Sequence, residues 1–145
     1  MRRYPERPLV GVGAVVIRDG KILLVKRANE PNKGKWSVPG GLVRKGERLE
    51  EALEREIWEE LGVGVVIKDV ACVTDEIILD EKGNVEYHYV IVDFFAEITG
   101  EPRAMSDAEE VAWIGLDDIE SVDVVDFVKK LVAKIEGAVT GTYLR

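Results

Sequence analysis

From Leu9 to Ile17 the chain is apolar and rich in β-branched residues; Arg18-Asp19-Gly20 then reads as a turn, and apolar character resumes from Lys21 to Lys26. Apolar runs on either side of an Asp-Gly turn predict a β-hairpin. Residues 28–35 hold Asn, Pro and Gly and read as a loop, and Trp36 to Val38 as a short strand stopped by Pro39-Gly40-Gly41. From about Arg48 to Leu61 the period changes. Leu49, Leu53, Ile57 and Leu61 recur every four residues, giving a helix with a core-facing stripe, and Gly62 is its natural stop. Val63 to Val73 and Ile77 to Leu79 read as strands, Asp80 to Asn84 as a turn, and Tyr87 to Ile98 as a strand with apolar residues on both faces in its middle. Ser106 to Glu110 reads as an acidic loop and Val111 to Ile114 as a short strand. A second helix is expected from about Val122 to Ile135, with Phe127, Val128, Leu131 and Ile135 on one side. Gly137 to Arg145 carries no clear pattern. Strands flanked by two helices predict an α/β fold in which a mixed sheet carries a helix on each face.

A chain of 145 residues is expected to form one domain over 1–145, with residues 1–8 as an arm and 137–145 as a loose tail. The net charge of −8 argues against polymeric nucleic acid as a partner, because such binding needs a basic surface. No apolar run approaches a membrane span, and the start lacks a secretory apolar core, so no membrane contact and a cytoplasmic address are expected. Cys72 is the single cysteine, which excludes an internal disulfide and suits a small buried hydrophobe. His88 is the single histidine, so a histidine-rich zinc site is unavailable.

The acidic helix carries the chemistry. Residues three and four apart share a helix face, so Glu56, Glu59 and Glu60 aim at one region. Like charges at that spacing cost a few tenths of a kcal/mol per pair. A hard divalent cation would remove the repulsion, and clustered oxygen donors suit Mg²⁺ or Mn²⁺.

The run from Gly41 to Val63 also resembles the Nudix hydrolase signature. Gly41, Glu47, Arg55, Glu56, Ile57, Glu59, Glu60, Gly62 and Val63 fill every specified place in it. The resemblance implies a Nudix-type α/β/α sandwich. It implies Glu56, Glu59 and Glu60 as metal ligands, joined by the Gly40 carbonyl, with Mg²⁺ or Mn²⁺ as cofactor. Arg55 would pair with a signature glutamate and hold it. Glu47 would reach a metal through water or brace the loop. A general base is expected from the acidic loop, with Glu109 first, Glu110 second and Asp107 as a further possibility.

The resemblance also implies substrate contacts at Gly41 and at Arg27, whose guanidinium at a strand end suits a phosphate fork. Trp36 could stack on a base, although a lone aromatic beside an apolar strand is more often core. Tyr87 or Tyr89 could line a base pocket or pack structurally. Lys33 and Lys35 fit solvated roles better, and Trp58, off the apolar stripe, hints at a subunit contact. The implied substrate is a small nucleotide, a nucleoside diphosphate linked to a further group X, with ADP-ribose favoured. A nucleoside-triphosphate pyrophosphohydrolase and a non-catalytic nucleotide-binding regulator are the alternatives. Family members are commonly dimers, so a homodimer is expected, with the Tyr4-Pro5 arm or the tail crossing between subunits.

Overall fold

The computed structural model describes residues 2–139. Its strands are β1 (Leu9–Val15), β2 (Ile17–Arg18), β3 (Lys21–Arg27), β4 (Trp36–Ser37), β5 (Gly40–Leu42), β6 (Val65–Leu79), β7 (Val85–Ile98) and β8 (Ala108–Gly115). Helix α1 spans Leu49–Leu61 and α2 spans Asp126–Val139, with a 3-10 turn at Leu116–Ser121 before it. The first sheet has the order β5-β1-β7-β6; in the second, β2, β3 and β4 pair in turn and β8 also pairs with β3. β1 runs parallel to β7, from Leu9 opposite Tyr89 to Val15 opposite Phe95, and antiparallel to β5, so the first sheet is mixed.

The expected hairpin is only partly present. Only Ile17 and Arg18 pair with β3, whereas β1 belongs to the other sheet. The chain crosses between sheets at Val16, whose carbonyl still accepts from the Leu23 amide. A single hairpin could not bury both faces of this segment. The sheet change lets Val12, Ala14 and Val16 face one core and Val15 the other. Asp19 and Gly20 take the turn with φ of 52° and 74°, the double positive φ of a tight two-residue hairpin turn.

The same alternation runs along β3. Leu23 and Val25 join the core under α1 with Leu53, Ile57, Leu61 and Phe94. Ile22 and Leu24 join the core under α2 with Val128, Leu131 and Val132. The two sheets therefore lie between two helices, an α/β sandwich. Truncating a fully buried leucine such as Leu53 in such a core costs about 2–5 kcal/mol.

Other boundaries moved. Gly40-Gly41 does not end structure but forms β5. The two strands expected after α1 are one strand, β6, with register shifts between Ile67 and Val70 and between Val70 and Cys72 that absorb its irregular pattern. α2 begins later than expected and continues through Gly137–Val139, and the rest of the predicted tail lies outside the described residues. The N-terminal arm folds onto its own chain: Tyr4 Oη donates to Asp80 at 2.7 Å and Arg3 Nε to Glu86 at 2.7 Å. No helix among the described residues is long and apolar enough to cross a membrane.

Candidate active site

α1 begins where the Arg48 amide donates to Glu51 at 2.9 Å, and ends at Gly62, whose φ of 70° favours glycine. Its stripe of Leu53, Ile57 and Leu61 is clamped in the core, which fixes the orientation of the flanking face that carries Glu56 and Glu60. That face meets β5. A Cβ on Gly41 would collide with the Glu56 carboxylate, so only glycine lets the backbone and this side chain approach so closely.

Glu60 lies one turn further along α1 and is only 7% exposed. Its Oε1 accepts from the Gly40 amide at 3.1 Å. Burial pushes its carboxyl up to about 8; the Gly40 amide opposes the shift, Glu56 adds to it, Arg27 opposes it and Asp107 adds to it. Glu56, Glu60 and Asp107 line one cleft with Arg27, Gly40 and Gly41. Asp107 is tied to the loop after β3, accepting from Asn29 Nδ2 at 3.0 Å and, through its carbonyl, from the Ala28 amide at 3.1 Å.

Arg55 organises the rest. Its Nε and Nη2 donate to the two Glu47 oxygens at 2.7 and 2.9 Å, and Nη2 also donates to the Leu42 carbonyl at 2.9 Å. Nη1 donates to Glu56 at 2.7 Å and reaches Glu59 at 3.4 Å. One guanidinium thus joins the loop after β5 to two helix carboxylates, a geometry that a lysine cannot reproduce. The Arg55 hydrogen bonds, then the Arg44 amide, hold the Glu47 carboxyl down to about 2.

A second, larger cavity of about 120 Å³ adjoins this cleft and shares Arg2, Arg27, Val38, Gly40 and Gly41 with it. The sequence reasoning missed one residue there. Asp93, on β7, lines the cavity, has no exposed surface, and leaves its Oδ1 without a hydrogen-bond partner. Burial pushes its carboxyl up to about 7, opposed only by the Cys72 thiol, which donates to Oδ2 at 3.9 Å.

The comparisons agree with this geometry. The NUDIX domain matches residues 7–135. The chain belongs to the Nudix hydrolase family. It is 39% identical over 112 residues to an ADP-ribose pyrophosphatase of Methanocaldococcus jannaschii, covering 77% of this chain but only 64% of that relative's length. It is 32% identical over 117 residues to the nucleoside triphosphatase NudI of Escherichia coli, covering 75% of this chain and 83% of the relative. Among solved structures, a MutT NUDIX hydrolase from Burkholderia pseudomallei superposes with a TM-score of 0.78 at 37% identity, over 88% of this chain and 98% of the other.

Family membership implies a divalent cation, and the donor chemistry fits one. The α1 face offers oxygen donors only, and Glu60 is a buried carboxylate destabilised by Glu56 and Asp107. The structure arranges the expected site residues in three ways that the sequence did not show. First, Glu56, Glu59 and Glu60 do not close around one point: among the described residues no three such groups stand within reach of a common ion position. The reason is Arg55, with Arg44 Nη2 at 3.7 Å, which draws Glu59 away from the cleft that Glu56 and Glu60 line. Second, Glu109 and Glu110 are not loop residues. They lie on β8, exposed and outside the cleft, and Glu110 pairs with Lys26 at 3.4 Å. Asp107 is the member of that acidic run that reaches the cleft. Third, Trp36 does not line either cavity. It packs against the α2 core, held by backbone bonds to Asp123 and Val125.

Arg27 and Gly41 line both cavities. Arg27 is oriented by donating from Nε to the Pro31 carbonyl at 2.7 Å. Gly40 meets Glu60 through its amide. Tyr87 and Tyr89 stack with ring centroids 6.3 Å apart, and Tyr89 reaches the larger cavity. Trp58 is 64% exposed and lines neither.

Proposed function

We propose that this chain hydrolyses the phosphoanhydride bond of a nucleoside diphosphate linked to X, with ADP-ribose cleaved to AMP and ribose 5-phosphate, in a reaction dependent on Mg²⁺ or Mn²⁺. The observation that carries this reading is the junction of two cavities: a carboxylate-lined cleft suited to cation-bound phosphates adjoins a cavity of mixed apolar and polar lining suited to a nucleoside. The likeness to an ADP-ribose pyrophosphatase supports the choice of X.

Glu56, Glu59 and Glu60 would hold the cation, with Glu59 released from Arg55. When bound, the cation supplies charge neutralisation on the phosphoryl oxygens and a more acidic water. The chain supplies the positioning. Arg55 and Glu47 fix the α1 face against the loop after β5. Arg27 stands where the two cavities meet and is placed to hold a phosphate. Asp107 is the cleft carboxylate not carried by α1, and we assign it to receive the proton of the attacking water. Water adds to one phosphorus, the bridging P–O bond breaks, and two monophosphates leave.

A second reading, nucleoside-triphosphate pyrophosphohydrolysis, is favoured by the likeness to a nucleoside triphosphatase. One panel separates the readings. The protein is incubated with Mg²⁺ and ADP-ribose, nucleotide sugars or nucleoside triphosphates, and products are resolved by chromatography. AMP with ribose 5-phosphate supports the first reading. Nucleoside monophosphate with pyrophosphate from triphosphates supports the second. Binding without turnover across the panel would leave only the regulator named at the outset.

A further inference from the structure

We infer that Asp93 is the base-reading residue of the larger cavity, presenting its carboxyl to the amino-bearing edge of adenine. The inference deepens the nucleotide reading above and rests on it. The cavity's volume of about 120 Å³ is far above the ~10–15 Å³ that one water needs, so it has room for a ligand group. Part of its wall suits a flat apolar object, beside polar residues such as Arg2, Arg27 and Glu76. In that part Gly11 and Gly13 present no side chains, and Val38, Ile91 and Phe127 add apolar surface. Asp93 is the one buried carboxyl in that lining, which also holds the buried phenol of Tyr89.

A buried polar atom in a native fold is almost always paired, so an orphan calls for a partner. Asp93 Oδ1 is such an orphan, and it lies where a Cβ on Gly13 would fall, so this glycine makes room for it. Packing alone would be served better by an apolar residue, because burying an unpaired polar group costs free energy. No cation contacts this carboxyl. The other ionisable groups around it are Cys72 on β6, Glu76, Tyr89, Arg2 and Arg27 along the cavity, and Lys134 acting on Cys72 from α2. The raised pKa leaves a neutral carboxylic acid available near pH 7. A neutral acid offers one O–H donor beside one acceptor. Adenine offers the complement, a ring nitrogen that accepts beside an amino group that donates.

The test measures binding of AMP and of ribose 5-phosphate by calorimetry for the native protein, Asp93→Asn and Asp93→Leu. Asp93→Asn keeps a donor beside an acceptor, so AMP affinity should stay within about threefold, whereas Asp93→Leu should weaken it about tenfold or more. Ribose 5-phosphate affinity should not change in either variant. Purine riboside monophosphate, which lacks the amino group, should bind the native protein about tenfold more weakly than AMP, and this arm needs no variant to fold. Unchanged AMP affinity in Asp93→Leu would overturn the inference. So would equal losses in both variants, a loss extending to ribose 5-phosphate, or equal affinity for AMP and its amino-free analogue. If the AMP pattern holds while ADP-ribose is not cleaved, the hydrolase reading alone fails.

Discussion

Glu60 and Asp93 are both buried carboxylates, and their surroundings are opposite. Glu60 sits at the end of a helix face that also carries Glu56 and Glu59, receives an amide hydrogen from Gly40, and has Arg27 within electrostatic reach. Asp93 stands alone in a strand, with one weak thiol donor and no cation. Both carboxyls are pushed upward by desolvation, yet Glu60 is embedded in a charge network and Asp93 in an apolar wall. The first arrangement suits a group that works ionised once a cation arrives. The second suits a group that works neutral.

The largest expected effect strikes the networked side. Glu60→Gln removes a negative oxygen from the proposed cation site while keeping the volume and a hydrogen-bond acceptor for Gly40. Cation stabilisation of transition-state charge is worth several kcal/mol. Turnover should therefore fall by about 10²–10⁴ with the fold retained. A rate within threefold of the native protein would remove Glu60 from the site.

Next comes the isolated side, read as stability against pH. The folded chain holds the Asp93 proton up to about pH 7, whereas an unfolded aspartate releases it near 3.9. Between those values the native state binds more protons, so stability falls as pH rises and levels off above about pH 7. At about 1.4 kcal/mol per pH unit, the full span is on the order of 4 kcal/mol. Glu60 contributes with the same sign toward pH 8, so the native curve contains both groups. Asp93→Asn should remove the Asp93 share, leaving a shallower fall in urea-unfolding free energy between pH 4 and pH 8. Parallel curves for the two proteins would mean that Asp93 does not carry this proton.

A smaller loss is expected at the brace. Arg55→Lys keeps the charge but cannot bond Glu47 twice while reaching Glu56 and the Leu42 carbonyl. Groups that orient metal ligands are typically worth about 10–100-fold in activity or metal affinity. Turnover should drop within that range, and the Mg²⁺ concentration for half-maximal rate should rise. A change in turnover with no change in Mg²⁺ response would place Arg55 on the substrate instead.

The contrast between the two carboxylates also explains what the sequence disclosed. Helical spacing announced Glu56, Glu59 and Glu60, because period and charge together mark a face that folding alone does not require. Arg55 was legible only through the signature resemblance, which gave it a glutamate partner. What Arg55 does to Glu59 was not, since the direction of a side chain among several partners depends on tertiary distances. Asp93 was hidden because one aspartate in a strand reads as the polar member of an alternation. The available signal was the company it keeps: Gly11 and Gly13 alternate on β1, and Asp93 interrupts an apolar run opposite them. The sandwich was legible from element order, but the change of sheet at Val16 was not, because both sheets ask for the same apolar pattern. Trp36 stayed open between two roles for a similar reason, as its local sequence fits either a cavity wall or a core.

The smallest expected effect belongs to Glu109 and Glu110 on β8, where one register step separates the cleft from solvent. Asp107 precedes the strand and is tied to Asn29 and Ala28 at the cleft, whereas Glu110 lies opposite Lys26, with a register shift between Lys26 and Arg27. Neighbouring strand residues face opposite sides, so Glu109 and Glu110 diverge from each other. The exposed Lys26–Glu110 pair is worth less than about 1 kcal/mol in stability. Glu109→Gln and Glu110→Gln should each leave turnover within about twofold, whereas Asp107→Asn should lower it by about 10²–10⁴, the range for a general base. The reverse ranking would mean that β8 shifts its register during the reaction, carrying a strand carboxylate into the cleft in place of Asp107.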